Sequence, residues 1–142
     1  MAEPVRVELG DWTAMRSRAT PVRYAVFVEE QKVPAEMELD EFDPPSVHAL
    51  ALDGEGRVLG TGRLLPDGHI GRMAVLRQAR GAGVGSALLQ ALMRAARARG
   101  DREVVLSSQT HALPFYERFG FVAEGEPYDD AGIPHLRMRL VF

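Results

Sequence analysis

Cysteine is absent from the 142-residue chain. That excludes disulfides, thiolate nucleophiles and cysteine-ligated zinc together. Lysine occurs once, at Lys32, away from any strand-to-helix glycine loop. A Walker A site, which needs Gly-Lys-Ser/Thr, is therefore excluded, and a Schiff-base lysine is disfavoured. No apolar run approaches the roughly 18 residues that span a bilayer, and Met1 to Arg6 lack the basic and apolar regions of a signal peptide. The expectation is a cytoplasmic protein with no membrane contact. An excess of positive charge is also lacking: the net charge is −3, with arginine supplying every basic residue but one. A nucleic-acid partner is not expected from that balance.

What is present describes an ordinary globular mixture, 46% apolar and 26% charged. At this length one domain, residues 1–142, is expected. Acidic residues gather between Glu29 and Asp43 (Glu29, Glu30, Glu36, Glu38, Asp40, Glu41, Asp43). Such a cluster reads as a solvated loop, which would also attract a cationic substrate.

Val5, Val7 and Leu9 alternate with charged residues as a first strand. Thr20-Pro21 has the pattern of a helix start, predicting a helix through Tyr24, Val26 and Phe27 to about Gln31. Residues 48–52, 58–65 and 70–75 read as three antiparallel strands joined by Asp53-Gly54-Glu55-Gly56 and Pro66-Asp67-Gly68. Val84, Leu88, Ala91, Leu92 and Ala95 recur at helical spacing up to Gly100. Val104-Val105-Leu106 then has the continuous apolar run of a strand buried on both faces. A short helix from Thr110 or His111 to Gly120 precedes two final strands, Phe121 to Glu124 and His135 to Phe142. The order β-α-β-β-β-α-β-α-β-β is a mixed α/β sheet.

Between the fourth strand and the long helix lies Arg80-Gly81-Ala82-Gly83-Val84-Gly85. The first N–H groups of a helix have no internal partner, and the helix dipole favours an anion there, so this is a phosphate cradle by position. The same glycines also suit a tight turn into a helix. A Rossmann fingerprint fits poorly: Ser86 stands where glycine or alanine is required, and the preceding strand is fourth rather than first.

Arg80-x-x-Gly83-x-Gly85, with Met73-Ala74-Val75 before it and Ser86-Ala87-Leu88-Leu89 after it, resembles the acetyl-CoA signature of the GNAT superfamily of N-acetyltransferases. Ala112-x-x-Phe115-Tyr116-Glu117-x-Phe119-Gly120-Phe121 is similar to that superfamily's motif after the fifth strand. Val26 to Gln31, Gly71-Arg72, Gln109 and Gly132 to His135 resemble its small bacterial YjcF-like subgroup. In one departure, Ser107 and Ser108 stand where the subgroup often has asparagine-alanine.

The resemblance implies a GNAT-like mixed central sheet of about seven strands flanked by helices, with splayed fourth and fifth strands. It implies an acetyl-CoA-dependent N-acetyltransferase moving an acetyl group directly to a primary amine, without a metal. The cofactor-binding residues would be Met73, Ala74 and Val75, with the run Arg80, Gly81, Ala82, Gly83, Val84, Gly85 and Ser86, and Phe115. Tyr116 matches the family's general acid; a core tyrosine is the other reading of that residue. Glu29, Glu30, His48 and His135 are candidates for the general base. Arg63 and Arg72 fall near each other across a hairpin, where two neighbouring cations usually pair with protein carboxylates, such as the Glu29 to Asp43 cluster, the alternative being to bind a carboxylate on a small-molecule acceptor. Substrate contacts are thus expected at Glu30, Arg63, Arg72 and His135. A CoA-binding or sensing module without turnover is the competing function. The acceptor's identity, the acyl-chain range and the oligomeric state, a homodimer included, stay open.

Overall fold

The computed structural model describes residues 5–142. Its centre is a seven-stranded sheet in the order β1-β2-β3-β4-β5-β7-β6. The strands are β1 (Arg6–Gly10), β2 (Val47–Leu52), β3 (Val58–Leu64), β4 (His69–Val75), β5 (Glu103–Gln109), β6 (Val122–Asp130) and β7 (Ile133–Val141). Every neighbouring pair is antiparallel except β4 and β5. Those two are joined by a helical crossover, α3 (Val84–Ala98), as a parallel pair requires. The remaining helices are α1 (Trp12–Arg23), α2 (Ala35–Glu38) and α4 (Leu113–Glu117). Among the described residues no helix is long and apolar enough to cross a membrane.

The periodic segment after the glycine loop is α3, which buries Val84, Leu88, Leu89, Ala91, Leu92 and Ala96. It lies close on the sheet because β3 is small there: a Cβ on Gly60 would stand 2.8 Å from the Ala74 carbonyl and 3.0 Å from a Leu88 methyl. Leu88, Leu92, Leu64, Val104 and Met138 form the middle of this core.

The first helix departs from the expected boundary. It begins at Trp12, well before Thr20, and Asp11 caps it by accepting the Ala14 N–H at 2.8 Å. Thr20 instead turns its hydroxyl back to the Arg16 carbonyl at 2.7 Å. Pro21 therefore lies inside the helix. A proline there offers no N–H to the turn before it. Directly afterwards the chain widens into a π-helix, Tyr24–Glu30, whose last bond runs from Gln31 N–H to the Val26 carbonyl at 3.0 Å.

The acidic segment is a solvated surface only in part: Glu29, Glu36 and Glu41 are exposed. Asp43 and Glu38 are almost fully buried, because three arginines converge on the segment from α1, β3 and β4. Arg23 donates to Asp43 Oδ1 at 2.8 Å and to the Glu38 carbonyl at 2.8 Å, and pairs with the Glu38 carboxylate. Arg63 donates to Asp40 at 2.6 Å and Asp43 at 2.7 Å, while Arg72 reaches Asp40 at 3.2 Å. Three cations thus meet three anions, as a buried charge cluster requires.

Two irregularities shape β4. Thr61 pairs with Ala74 but Arg63 with Gly71, so β4 carries one extra residue there. Arg72 sits in that bulge with φ +49°. The extra residue shifts the alternation: Ile70, Met73 and Val75 share the α3 core, whereas Ala74 faces Val22 and Val26. Beyond it, β4 and β5 part. Their ladder registers His69 with Val105 and Ile70 with Leu106, and no later pair.

Candidate active site

The parting of β4 and β5 opens a cavity of about 910 Å³. Met73, Ala74 and Val75 form one wall, and Ser107 and Gln109 the other. Arg80, Gly81, Gly83, Val84, Gly85 and Ser86 line its mouth, and Phe115 and Tyr116 its flank. Glu30, Arg63, Arg72 and His135 line it too. Ala82 faces instead a smaller hollow of about 260 Å³ beside Asp53 and Gln78. Glu29 and His48 are not on the cavity wall. His48 is buried under the Trp12 ring, 4.7 Å between centroids, with Nε2 2.8 Å from the Asp43 carbonyl. Desolvation pushes its imidazole below the usual histidine range, so it is neutral.

At the mouth, Gly81 and Gly83 take φ of +83° and +80°, conformations that resist any side chain. A Cβ on either would meet nothing within 4 Å, so the space above them is open to a ligand. The first bond of α3 runs from Ala87 N–H to the Gly83 carbonyl at 3.0 Å. The N–H groups of Val84, Gly85 and Ser86 accordingly have no acceptor within the helix. These features fit an anionic phosphate group. Arg80 stands beside them, with Nε on the Val75 carbonyl at 3.1 Å and both terminal nitrogens on the Glu30 carboxylate at 2.8 and 2.7 Å.

Tyr116 lies on the short α4, whose Pro114 falls in the first turn. Its ring meets Phe115 edge-on at 5.0 Å and Phe121 at 6.1 Å. Burial pushes the phenol above its ordinary range, keeping it protonated. Its hydroxyl makes no hydrogen bond among the described residues. A protonated donor with no acceptor among the described residues thus borders the cavity.

On the far side, His135 Nδ1 lies 2.7 Å from the Ile133 carbonyl. A carbonyl only accepts, so Nδ1 carries a proton, and in the neutral ring this tautomer puts the lone pair on Nε2. The ring stacks on Tyr128 at 6.1 Å, and Tyr128 in turn touches Ser107 through its hydroxyl. Gln109 donates to Gln31 Oε1 at 3.0 Å, bridging β5 to the end of the π-helix. Asp130 completes this polar side. Motif reading passes over Ser107's contact with Tyr128 and over Asp130, because each belongs to a pairing set only by the β6–β7 hairpin.

For the substrate residues, Arg63 is the more committed arginine: it is 6% exposed and both terminal nitrogens are held by Asp40 and Asp43. Desolvation works against its charge, but those two carboxylates outweigh it and raise its affinity for the proton. Arg72 shares Asp40 and lies 6.0 Å over the Phe27 ring. Desolvation first, then repulsion by Arg63, push its guanidinium down. Among the described residues no group of acidic or histidine side chains is placed to hold a metal ion.

A parted parallel strand pair with a glycine-rich helix start beside it defines the acyl-CoA acyltransferase class. The chain belongs to the acetyltransferase (GNAT) domain family, whose sequence model matches residues 15–142. It is 45% identical over 121 residues to the uncharacterized N-acetyltransferase YjcF of Bacillus subtilis, covering 82% of this chain and 86% of that one. Among solved structures, an acyl-CoA N-acyltransferase from Pseudomonas aeruginosa aligns with a TM-score of 0.85 and 32% identity, over 96% of this chain and 99% of that one. Escherichia coli ElaA aligns at 0.84 and 26% identity, again over 96% and 99%. The protein is therefore an acyltransferase that uses an acyl-CoA donor and an acceptor substrate.

Proposed function

We propose that the enzyme transfers an acetyl group from acetyl-CoA directly to the primary amine of a small molecule, within one domain spanning residues 1–142. The observation that carries this reading is the cavity between β4 and β5, which joins the glycine cradle to the Tyr116 hydroxyl. The pyrophosphate of CoA rests on the N–H groups of Gly81 to Ser86. The pantetheine arm runs along Met73 to Val75 as an added strand, taking up backbone groups that β5 leaves without a ladder partner. Phe115 packs beside it.

His135 Nε2 is the favoured base for the acceptor, directly or through water, since its Nδ1 is held on the Ile133 carbonyl and its ring lines the cavity. The amine nitrogen attacks the thioester carbonyl carbon, an N–C bond forms, and the C–S bond breaks. A strand N–H at the parted edge steadies the oxygen's developing charge. Tyr116 delivers a proton, or a strong hydrogen bond, to the departing CoA thiolate. With no cysteine in the chain, no thiol holds the acyl group between donor and acceptor.

A panel of primary amines with acetyl-CoA, followed by a thiol reagent, tests this. Released CoA is read without protein background, because the chain has no thiol of its own. At least one small amine is expected to support turnover. Tight CoA binding with no thiol release across the panel would instead make the protein a CoA-binding module.

A further inference from the structure

Three N–H groups of Arg80, the cradle's own cation, are already committed within the protein. Nε donates to the Val75 carbonyl, and the two terminal nitrogens donate to the two oxygens of Glu30, fifty positions away in the chain. Arg77 adds a longer contact to Glu30 at 3.6 Å. A carboxylate gripped by both prongs presents the same oxygen geometry that a phosphate offers an arginine. Hydrogen bonding from Arg80 holds the Glu30 carboxyl below the usual carboxylate range, so it stays charged at neutral pH. The pair is also partly open to solvent, with side-chain exposures of 41% and 25%. Contacts of that kind are weak and exchangeable.

We propose that Glu30 is an internal stand-in for the donor's pyrophosphate: it holds Arg80 at the mouth of the cradle until the donor displaces it. This rests on reading Gly81 to Ser86 as the pyrophosphate site. Three features of the geometry make the exchange local. The Nε bond to Val75 aims the guanidinium whether or not Glu30 is attached. The neighbouring Gln31 is tied to Gln109, so the end of the π-helix stays anchored while one side chain moves. A carboxylate left against a bound pyrophosphate would face like charge, which drives it away from the mouth. Glu30 is thus a positioning residue that acts through Arg80, and its removal has an unusual sign: donor binding improves.

The test is calorimetry with CoA on the wild type, Arg80→Ala, Glu30→Gln and the double variant, repeated with pantetheine, which carries no phosphate. Arg80→Ala is expected to weaken CoA binding. Glu30→Gln is expected to tighten it by about two- to fivefold, the worth of one exposed ion pair. In the Arg80→Ala background the gain from Glu30→Gln should vanish, and pantetheine should bind wild type and Glu30→Gln alike. Unchanged CoA affinity in Arg80→Ala overturns the cradle reading, and this proposal with it. If Arg80→Ala weakens binding but Glu30→Gln does not tighten it, the cradle stands and the exchange is refuted. Tightening that persists in full without Arg80 is plain charge repulsion, and also refutes the exchange.

Discussion

Replacing Tyr116 by phenylalanine isolates a single oxygen atom. The ring keeps its edge contacts with Phe115 and Phe121, and the hydroxyl has no protein partner to lose among the described residues. Folding stability should therefore change by less than about 0.5 kcal/mol. The effect on chemistry is set by proton affinities. A thiolate, whose thiol has a pKa of about 8.5, is a weaker base than a phenolate, whose phenol has one of about 10, so full proton transfer to the leaving thiolate is uphill. Burial pushes the Tyr116 phenol higher still, which enlarges that gap. A positioned proton donor contributes about 10²- to 10⁴-fold. The uphill transfer places Tyr116 at the lower end, so kcat should fall about 100-fold, or about 2.7 kcal/mol in the barrier. Because the raised phenol stays protonated up to about pH 10, Tyr116 itself imposes no alkaline fall in kcat below that pH. Steady-state thiol release with acetyl-CoA and an amine accepted by the wild type, alongside thermal melting, measures both quantities. A Phe variant within threefold of wild-type kcat at unchanged stability would return Tyr116 to a packing role.

Gly83→Glu should abolish CoA binding in calorimetry while the protein remains folded, because the new side chain occupies the open space above a φ of +80°. Arg23→Leu should lower stability by about 3–5 kcal/mol, since it leaves Glu38 and Asp43 buried without their main cation; an unchanged melting temperature would refute that account of the cluster. Desolvation would raise the Asp43 and Asp40 carboxyls, but Arg23 and Arg63 outweigh it and hold both below the usual range. Their contribution is full above about pH 4 and is lost as pH falls further. His48, kept neutral by burial, adds a loss that begins as pH drops below about 6.5, and His48→Gln should remove that first step from a stability–pH curve. Finally, amine acceptors with and without a carboxylate, compared on wild type and Arg72→Ala, test whether Arg72 meets an anionic group. Equal preference in both proteins removes it from acceptor binding.

The legible parts of the sequence are those whose partners are local. Val84 to Ala98 states its own period, and Arg80, Gly83 and Gly85 are close neighbours in the sequence, so both the helix and the cradle could be read. Pro21 misled because a proline beside a threonine has the same local pattern at a helix start as it does inside this helix, where the π turn follows. The acidic segment misled for a different reason: Arg23, Arg63 and Arg72 lie 15 to 32 positions from their carboxylates. Nothing in Glu38 or Asp43 marks it for burial until those arginines arrive. Glu30 with Arg80 and Gln31 with Gln109, 50 and 78 positions apart, are invisible for the same reason.

The two ladder rungs between β4 and β5 also govern how the molecule holds together. They are the backbone seam between a four-stranded half and a three-stranded half, with α3 packed across both. Strands that share so short a seam open more readily than the strands on either side of it. If the donor lies in the gap as proposed, it adds the missing strand, and at 100 times its dissociation constant it contributes about 2.7 kcal/mol to the folded state. Amides of Gly71 to Val75 should therefore exchange faster than those of β2 and β3, and slow when CoA is added. Where proteolysis proceeds through that opening, the enzyme's lifetime tracks the concentration of its own donor. With the donor seated there, the seam would make survival of the protein, as well as its turnover, a function of the CoA supply.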